Sequence, residues 1–205
     1  MGQAWSGGFF ITTKGVGAPS QIFLRDGSTP VQGNLGVNND KGVPALASAS
    51  EGYVGRGDAL VRFSPAALDA GTAITQVTGD VVRTSPVLGA QRMGASTREA
   101  YAVSQAGTLI AFSHGGSSST LLWRTPVTLP GENVNTHPTL DCNRSRPASG
   151  TGILYFGSST GFVYAVVVDS PKLFEGNGAW PKYQRTAGNA GNADMTFPVN
   201  WPGCP

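Results

Sequence analysis

The chain has 205 residues, of which 29 are glycine and 14 are proline, and only 13% are charged. Ordinary soluble domains carry roughly 25% charged residues, so this composition argues against a helical bundle, a coiled coil or a charged disordered segment. The hydrophobic content of 40% is still enough to form a core. The net charge of +2 comes from scattered basic residues, without the basic stripe typical of nucleic-acid-binding proteins. We therefore expect a turn-rich, all-β globular protein that binds no nucleic acid.

Targeting signals are absent from the sequence as given. No run approaches the ~20 apolar residues of a membrane-spanning helix, and the first eight residues lack the basic and apolar regions of a signal peptide. We expect no membrane span and no leader in this chain. The protein is then either cytoplasmic or preceded by further sequence.

Residues 1–40 contain two predicted strands, Phe9–Thr13 and Gln21–Arg25, and the second is followed by an Asp26-Gly27 turn signal. They are less regular than the rest of the chain. We predict a degenerate or partial copy of the unit that is repeated after them.

Three copies of one unit follow, and we assign them to residues 41–83, 84–135 and 136–192, with a tail at 193–205. Each copy begins with a short proline-containing element: Gly42–Leu46, Thr84–Leu88 and Thr136–Leu140. A strand-turn-strand element comes next: Tyr53–Phe63, Glu99–Phe112 and Gly152–Val166. Spacings of 42 to 54 residues between copies are typical of β-propeller blades.

Each copy predicts a four-stranded antiparallel blade. Ile74–Thr78 and Leu121–Thr125 are the predicted outer strands of the first two copies. Phe162–Val168 is apolar on both faces, which predicts a strand covered on both sides. The one helix candidate, Pro65–Ala70, is short enough to be a turn.

The run Ser85-Pro86-Val87, the hairpin Leu154–Ala165 and the segment Leu122–Val127 together resemble the PQQ-like β-propeller repeat of quinoprotein dehydrogenases and of the outer-membrane barrel-assembly lipoprotein. The tail Trp180–Asn192 is similar to a segment of bacterial secreted propellers. The resemblance covers about residues 41–192 and implies rings of seven or eight blades. This chain has room for about four, so we expect a small ring or, preferably, part of a larger one.

The enzymes of that family hold a quinone between a tryptophan and a disulfide of adjacent cysteines, beside a calcium bound by acidic side chains. This chain has no adjacent cysteines and no acidic calcium loop. We therefore assign no catalytic, cofactor-binding or metal-binding residue and expect no cofactor.

Four residues are candidates for other roles. His137 precedes a repeat proline and could face the axis of the ring, and Trp123 and Trp201 could lie on a binding surface. The alternative for Trp123 is packing between blades. His114 precedes Gly115 and is predicted to be an exposed loop histidine.

The two cysteines, Cys142 and Cys204, belong to no CxxC pair, which argues against a zinc site. Either they form a disulfide that ties the tail to the body, as expected in an oxidising compartment, or both are free thiols.

The sequence favours a non-enzymatic β-propeller scaffold that binds a protein or cell-surface partner outside the cytoplasm. The alternatives are a fragment of a quinone-dependent dehydrogenase and a glycan-binding surface module. An incomplete ring would expose strand edges, and such edges pair with other chains, so we also expect self-association.

Overall fold

The computed structural model describes residues 44–48, 50–65 and 71–174, together with the backbone of four strands between residues 2 and 33. This part of the chain is all-β and contains one short 3-10 turn, Pro147–Ser149. Pro65 is described, but the rest of the helix candidate lies outside the described residues.

The strands form four antiparallel sheets in which neighbours in sequence are neighbours in space. Sheet N contains β1 (Gly2–Trp5), β2 (Gly8–Ile11), β3 (Ser20–Leu24) and β4 (Val31–Gly33). Sheet I contains β5 (Ala45–Ser48), β6 (Glu51–Arg56), β7 (Ala59–Phe63) and β8 (Thr72–Gln76). Sheet II contains β9 (Val87–Leu88), β10 (Arg98–Val103), β11 (Thr108–His114) and β12 (Leu121–Pro126). Sheet III contains β13 (Thr139–Cys142), β14 (Gly152–Gly157) and β15 (Val163–Val168).

The repeat prolines stand at equivalent places in sheets I, II and III. Pro44, Pro86 and Pro138 are buried and directly precede β5, β9 and β13. Proline has no N–H to donate, so it is tolerated where a strand begins and no ladder bond is required of it. The prediction that these prolines begin strands is confirmed.

The strand registers follow the internal repeat. Tyr101 lies opposite Ala111 in sheet II, and Tyr155 lies opposite Ala165 in sheet III. Both members of the second pair are 54 residues beyond those of the first. The sequence alignment of the repeats therefore corresponds to the same strand pairing in two successive sheets.

Sheets I, II and III pack face to face, and sheet II is covered on both sides. One face of β10, with Ala100 and Ala102, joins a core with Tyr53 and Leu60 of sheet I. The other face, with Tyr101 and its neighbours, joins a core made with sheet III. The second core contains Val87, Tyr101, Val103, Leu109, Ala111, Val134, Leu140, Leu154, Phe156, Val168 and Leu173.

A threonine before the repeat proline bonds to the strand beside it. The Thr84 hydroxyl donates to the Val103 carbonyl at 2.7 Å and accepts from the Val103 N–H at 3.2 Å. Thr136 makes the same two bonds with Gly157, at 3.3 and 2.6 Å. A single hydroxyl can do both because it is one donor and two acceptors. The repeated Thr-x-Pro sequence therefore satisfies a backbone pair where the ladder ends.

Backbone hydrogen bonds join successive sheets at the β6–β7, β10–β11 and β14–β15 turns. The segment between two sheets bonds to the turn before it and to the turn after it. These bonds run from Val82 N to Gly57 O (2.8 Å), Gln105 N to Val81 O (2.7 Å), Val134 N to Gln105 O (2.7 Å) and Ser159 N to Asn133 O (2.7 Å).

Both strands predicted in residues 1–40 are present, as β2 and β3, and within the described residues they pair with β1 and β4 in one sheet. One sequence prediction needs correction. Within the described residues sheet III has three strands, so β15 is an edge strand, and its burial alternates instead of being complete on both faces. The outer strands β8 and β12 are confirmed. Whether the sheets close into a propeller stays a prediction.

Candidate functional site

The open face of sheet III is an exposed apolar feature of the described surface. We define it by Val163, Ala165 and Val167 of β15, with Phe162 beside them. Val163 is 76% exposed and Val167 is 61% exposed. Successive side chains of a strand point to opposite faces, so Tyr164 and the even-numbered residues beside it point to the core shared with sheet II. The odd-numbered side chains therefore face away from that core.

The same positions are covered in sheet II. Leu109 and Ala111 are 54 residues before Val163 and Ala165, and both are fully buried against sheet III. The open face thus has the residue types that sheet II uses to bind another sheet. Exposed apolar patches of this kind mark interaction surfaces.

A second feature is a polar cluster between sheets I and II. The Glu51 carboxylate accepts a short hydrogen bond from the Tyr53 hydroxyl and a 2.9 Å bond from the backbone N–H of Gly115. Ser119 lies 2.7 Å from the Tyr53 hydroxyl. Burial raises the pKa of Tyr53, and its bond to Glu51 adds to the shift. Arg62 approaches Glu51 at 3.7 Å and balances its charge.

Sheets II and III repeat this arrangement 48 residues further along the chain. The Tyr101 hydroxyl donates to Glu99 at 3.0 Å, as Tyr53 does to Glu51. Burial raises the pKa values of both Tyr101 and Glu99. The signal in the sequence is Glu-x-Tyr in two successive repeats, which sequence reasoning overlooked. In the third repeat Ile153 takes the glutamate position.

His114 is the clearest error of the sequence analysis. It is the last residue of β11 and is only 4% exposed, not a loop histidine on the surface. Its Nε2 lies 2.8 Å from the Gly89 carbonyl, while Nδ1 is buried without a hydrogen-bond partner. The rings of Tyr53 and Phe174 pack edge-on against it. Burial lowers the pKa of His114 to about 4, so the imidazole is neutral at pH 7.

A cavity of about 200 Å³ opens beside His114, at the end of sheet II opposite the β10–β11 turn. Arg98 lies on its wall, with its guanidinium 4.7 Å from the centre of the Phe174 ring. The remaining lining residues are Gln91, Ser96, Thr97, Ser113, Gly115, Gly116 and Ser118. We call this cavity the Arg98 cavity.

Two of the three predicted binding-surface residues, His137 and Trp123, lie among the described residues. His137 is half-buried, and its Nδ1 accepts the Ser85 backbone N–H at 2.8 Å, which ties together the Thr-x-Pro segments of sheets II and III. Trp123 is half-buried and packs against Tyr101, as the alternative of packing between sheets predicts. Trp201 lies outside the described residues.

Cys142 ends β13, is buried and is not a free thiol. The other cysteine of the chain, Cys204, lies outside the described residues. The Cys142–Cys204 bridge therefore stays a prediction.

In the part of the chain that the structure describes, no three metal-binding side chains of His, Cys, Asp or Glu come together. No helix within the same ranges has the length and apolar character to cross a membrane. No protein-family model matches the chain, and no curated protein matches it.

Proposed function

We propose that this protein is a β-propeller-type scaffold of the PQQ-like repeat kind that binds another protein outside the cytoplasm. The observation that carries the proposal is the open face of sheet III. The equivalent residues of sheet II pack against a neighbouring sheet. The residues of the open face are therefore of the types that pack against a sheet.

The partner chemistry follows from the residues of the face. Val163, Ala165 and Val167 present branched and small apolar side chains in a row with no charge among them. Sheet III covers Leu109 and Ala111 with aliphatic and aromatic side chains such as Leu154 and Phe156. We therefore propose that the partner offers an apolar β-sheet face, since such faces pack at about 10 Å through interdigitated side chains.

The proposed location rests on different evidence. We propose that Cys142 is disulfide-bonded, because the described residues hold no free cysteine, and disulfides persist mainly in oxidising compartments. Reduction is expected to lower the melting temperature if the bond joins the tail to the body. An unchanged melting temperature on reduction would contradict this part of the proposal.

A photo-crosslinking experiment tests the binding surface. Val163→p-benzoylphenylalanine is produced in the cells that make the protein, irradiated, and examined by mass. Leu122→p-benzoylphenylalanine is the matched control, because Leu122 is also an exposed apolar residue but lies on β12, outside the face. We expect one discrete adduct with another protein at position 163, lost when Val167→Lys is added, and no such adduct at position 122.

Three other outcomes would contradict the proposal. An adduct of twice the 21.1 kDa chain mass would make a second copy of this chain the occupant. A crosslink within one chain would mean that the protein covers the face itself. The same adducts from both positions would mean that the face has no specific partner.

A further inference from the structure

The Arg98 cavity lies away from the open face of sheet III and has unused hydrogen-bonding capacity. Arg98 contacts Phe174 through a cation–π interaction, and within the described residues it forms no ion pair. Ser96, Thr97 and Ser118 line the same space, and their hydroxyls bond to no other described residue. The guanidinium has five N–H donors, so hydrogen-bonding capacity remains at this position.

The charge of the cavity is a single positive one. His114 forms part of the wall but is neutral, since it is buried between aromatic rings and its Nε2 is engaged by Gly89. Glu51 is turned to Tyr53 and to the backbone of Gly115. Arg98 is therefore the one charged side chain among the residues that line the cavity.

The volume and the donors restrict the ligand. About 200 Å³ is below the ~300–1,000 Å³ of pockets for drug-sized ligands, so the occupant is a small molecule or one unit of a larger one. A planar guanidinium pairs with a carboxylate through two parallel hydrogen bonds. Hydroxyl side chains can donate to and accept from ligand hydroxyls.

We propose that the Arg98 cavity binds a small hydroxycarboxylate, of the kind represented by a single uronic acid unit of an acidic glycan. Arg98 binds the carboxylate, and Thr97, Ser96 and Ser118 bind the hydroxyls. This site is independent of the protein-binding surface, so either can exist without the other.

The test is a titration followed by two-dimensional amide NMR, with D-glucuronate as the probe. We expect saturable shifts at Thr97, Arg98, Gly116 and Ser118. D-glucose, which lacks the carboxylate, and acetate, which lacks the hydroxyls, should each bind at least about tenfold more weakly, because each loses some of the hydrogen bonds that glucuronate makes. Inorganic phosphate should also bind more weakly, because it pairs with the guanidinium but has no sugar hydroxyls for Ser96, Thr97 and Ser118.

Variants separate recognition from folding. Arg98→Ala should weaken glucuronate binding about tenfold or more, and Thr97→Val about threefold. Arg124→Ala is the matched control, since it removes the same charge from β12, where Arg124 bonds to the Gln76 carbonyl. An amide spectrum like that of the wild type shows that each variant is folded.

Several results would overturn the proposal. They are non-saturable or scattered shifts with glucuronate, equal binding of acetate and glucuronate, tighter binding of phosphate, and unchanged binding by Arg98→Ala. A glucuronate-terminated oligosaccharide that binds at least as well as the free acid would point to a glycan as the source. Weaker binding of the oligosaccharide would point to a free hydroxycarboxylate, and either result is consistent with the site.

Discussion

Sheets II and III are built from the same repeat but meet different surroundings. Leu109 of sheet II is fully buried, whereas Val163, its equivalent in sheet III, is 76% exposed. Both are apolar residues on the third strand of a sheet, at the same place in the register. Whether this position is buried therefore depends on whether another sheet packs on it. The repeated sequence alone does not determine its burial.

The largest expected effect comes from shortening these two side chains. Leu109→Ala removes three buried carbons and leaves a cavity between sheets II and III, at a cost of about 2–5 kcal/mol in the free energy of unfolding. Val163→Ala removes atoms that are already in water and should cost less than about 0.5 kcal/mol. Urea denaturation of both variants measures the difference. Equal losses would mean that the open face is covered in solution.

The next comparison concerns His114 and Val168, which are 54 residues apart and equivalent in the repeat. Both are buried, but only the histidine can titrate. Its pKa is about 4 in the folded protein and about 6.5 when unfolded, because burial opposes the charge. Glu51 favours the charged form and Arg98 opposes it, while the rings of Tyr53 and Phe174 add no charge.

Below pH 6.5 the unfolded chain binds a proton that folded His114 does not, so stability falls as the pH falls toward 4. The loss by pH 4 is of the order of 3 kcal/mol. His114→Val, which copies sheet III, should flatten the profile between pH 4 and 6.5. Melting temperatures across that range for both proteins provide the measurement, and parallel profiles would contradict the assignment.

The repeated sheets were predictable from the sequence because strand pairing is local. Alternating apolar residues around a glycine turn produce the same hairpin in each copy, as the Tyr101–Ala111 and Tyr155–Ala165 pairs show. The prolines marked the first strands for a similar local reason. The outer strand Leu121–Pro126 was also found from its own residues.

The errors concern contacts between distant parts of the chain. The glycine and serine residues after His114 suggested a loop, but β11 continues through His114 because Ser113 pairs with Thr120 and the imidazole reaches Gly89. The exposure of Val163 could not be predicted from the sequence of β15, because an apolar strand does not indicate whether another sheet packs on its outer face. The Arg98 cavity likewise could not be predicted, because it forms where the ends of β10 and β11 lie near Phe174, which is distant in the sequence.

A smaller effect is expected at the two threonines of the Thr-x-Pro segments. Thr84 is buried, and Thr84→Val leaves the N–H and carbonyl of Val103 without their partner, which costs about 1–3 kcal/mol. Thr136 makes the same bonds with Gly157 but is exposed. Water can replace its hydroxyl, so Thr136→Val should cost less than about 1 kcal/mol. Chemical denaturation checks the order, and the reverse order would mean that sheet III relies on its threonine more than sheet II does.

The smallest expected effects on stability concern two carboxylates at the boundary of sheets II and III, those of Glu132 and Glu99. Glu132 accepts hydrogen bonds from the hydroxyls of Thr160 and Tyr164, and these bonds lower its pKa. Glu99, on sheet II itself, has a pKa raised by burial. The two groups therefore give stability profiles of opposite sign around the usual glutamate pKa of about 4.3.

For Glu132 the stabilisation is present above about pH 4.3 and is lost as the pH falls through the lowered folded-state pKa. For Glu99 the folded state holds its proton longer than the unfolded chain, so stability decreases as the pH rises from about 4.3 through the raised pKa. We expect Glu132→Gln to weaken the loss of stability in acid, and Glu99→Gln to remove the decline at higher pH. Urea midpoints between pH 3 and 7, measured in the His114→Val background so that the imidazole does not contribute, check both signs. If the two variants changed the profile in the same direction, hydrogen bonding from sheet III would not be what stabilises the Glu132 carboxylate.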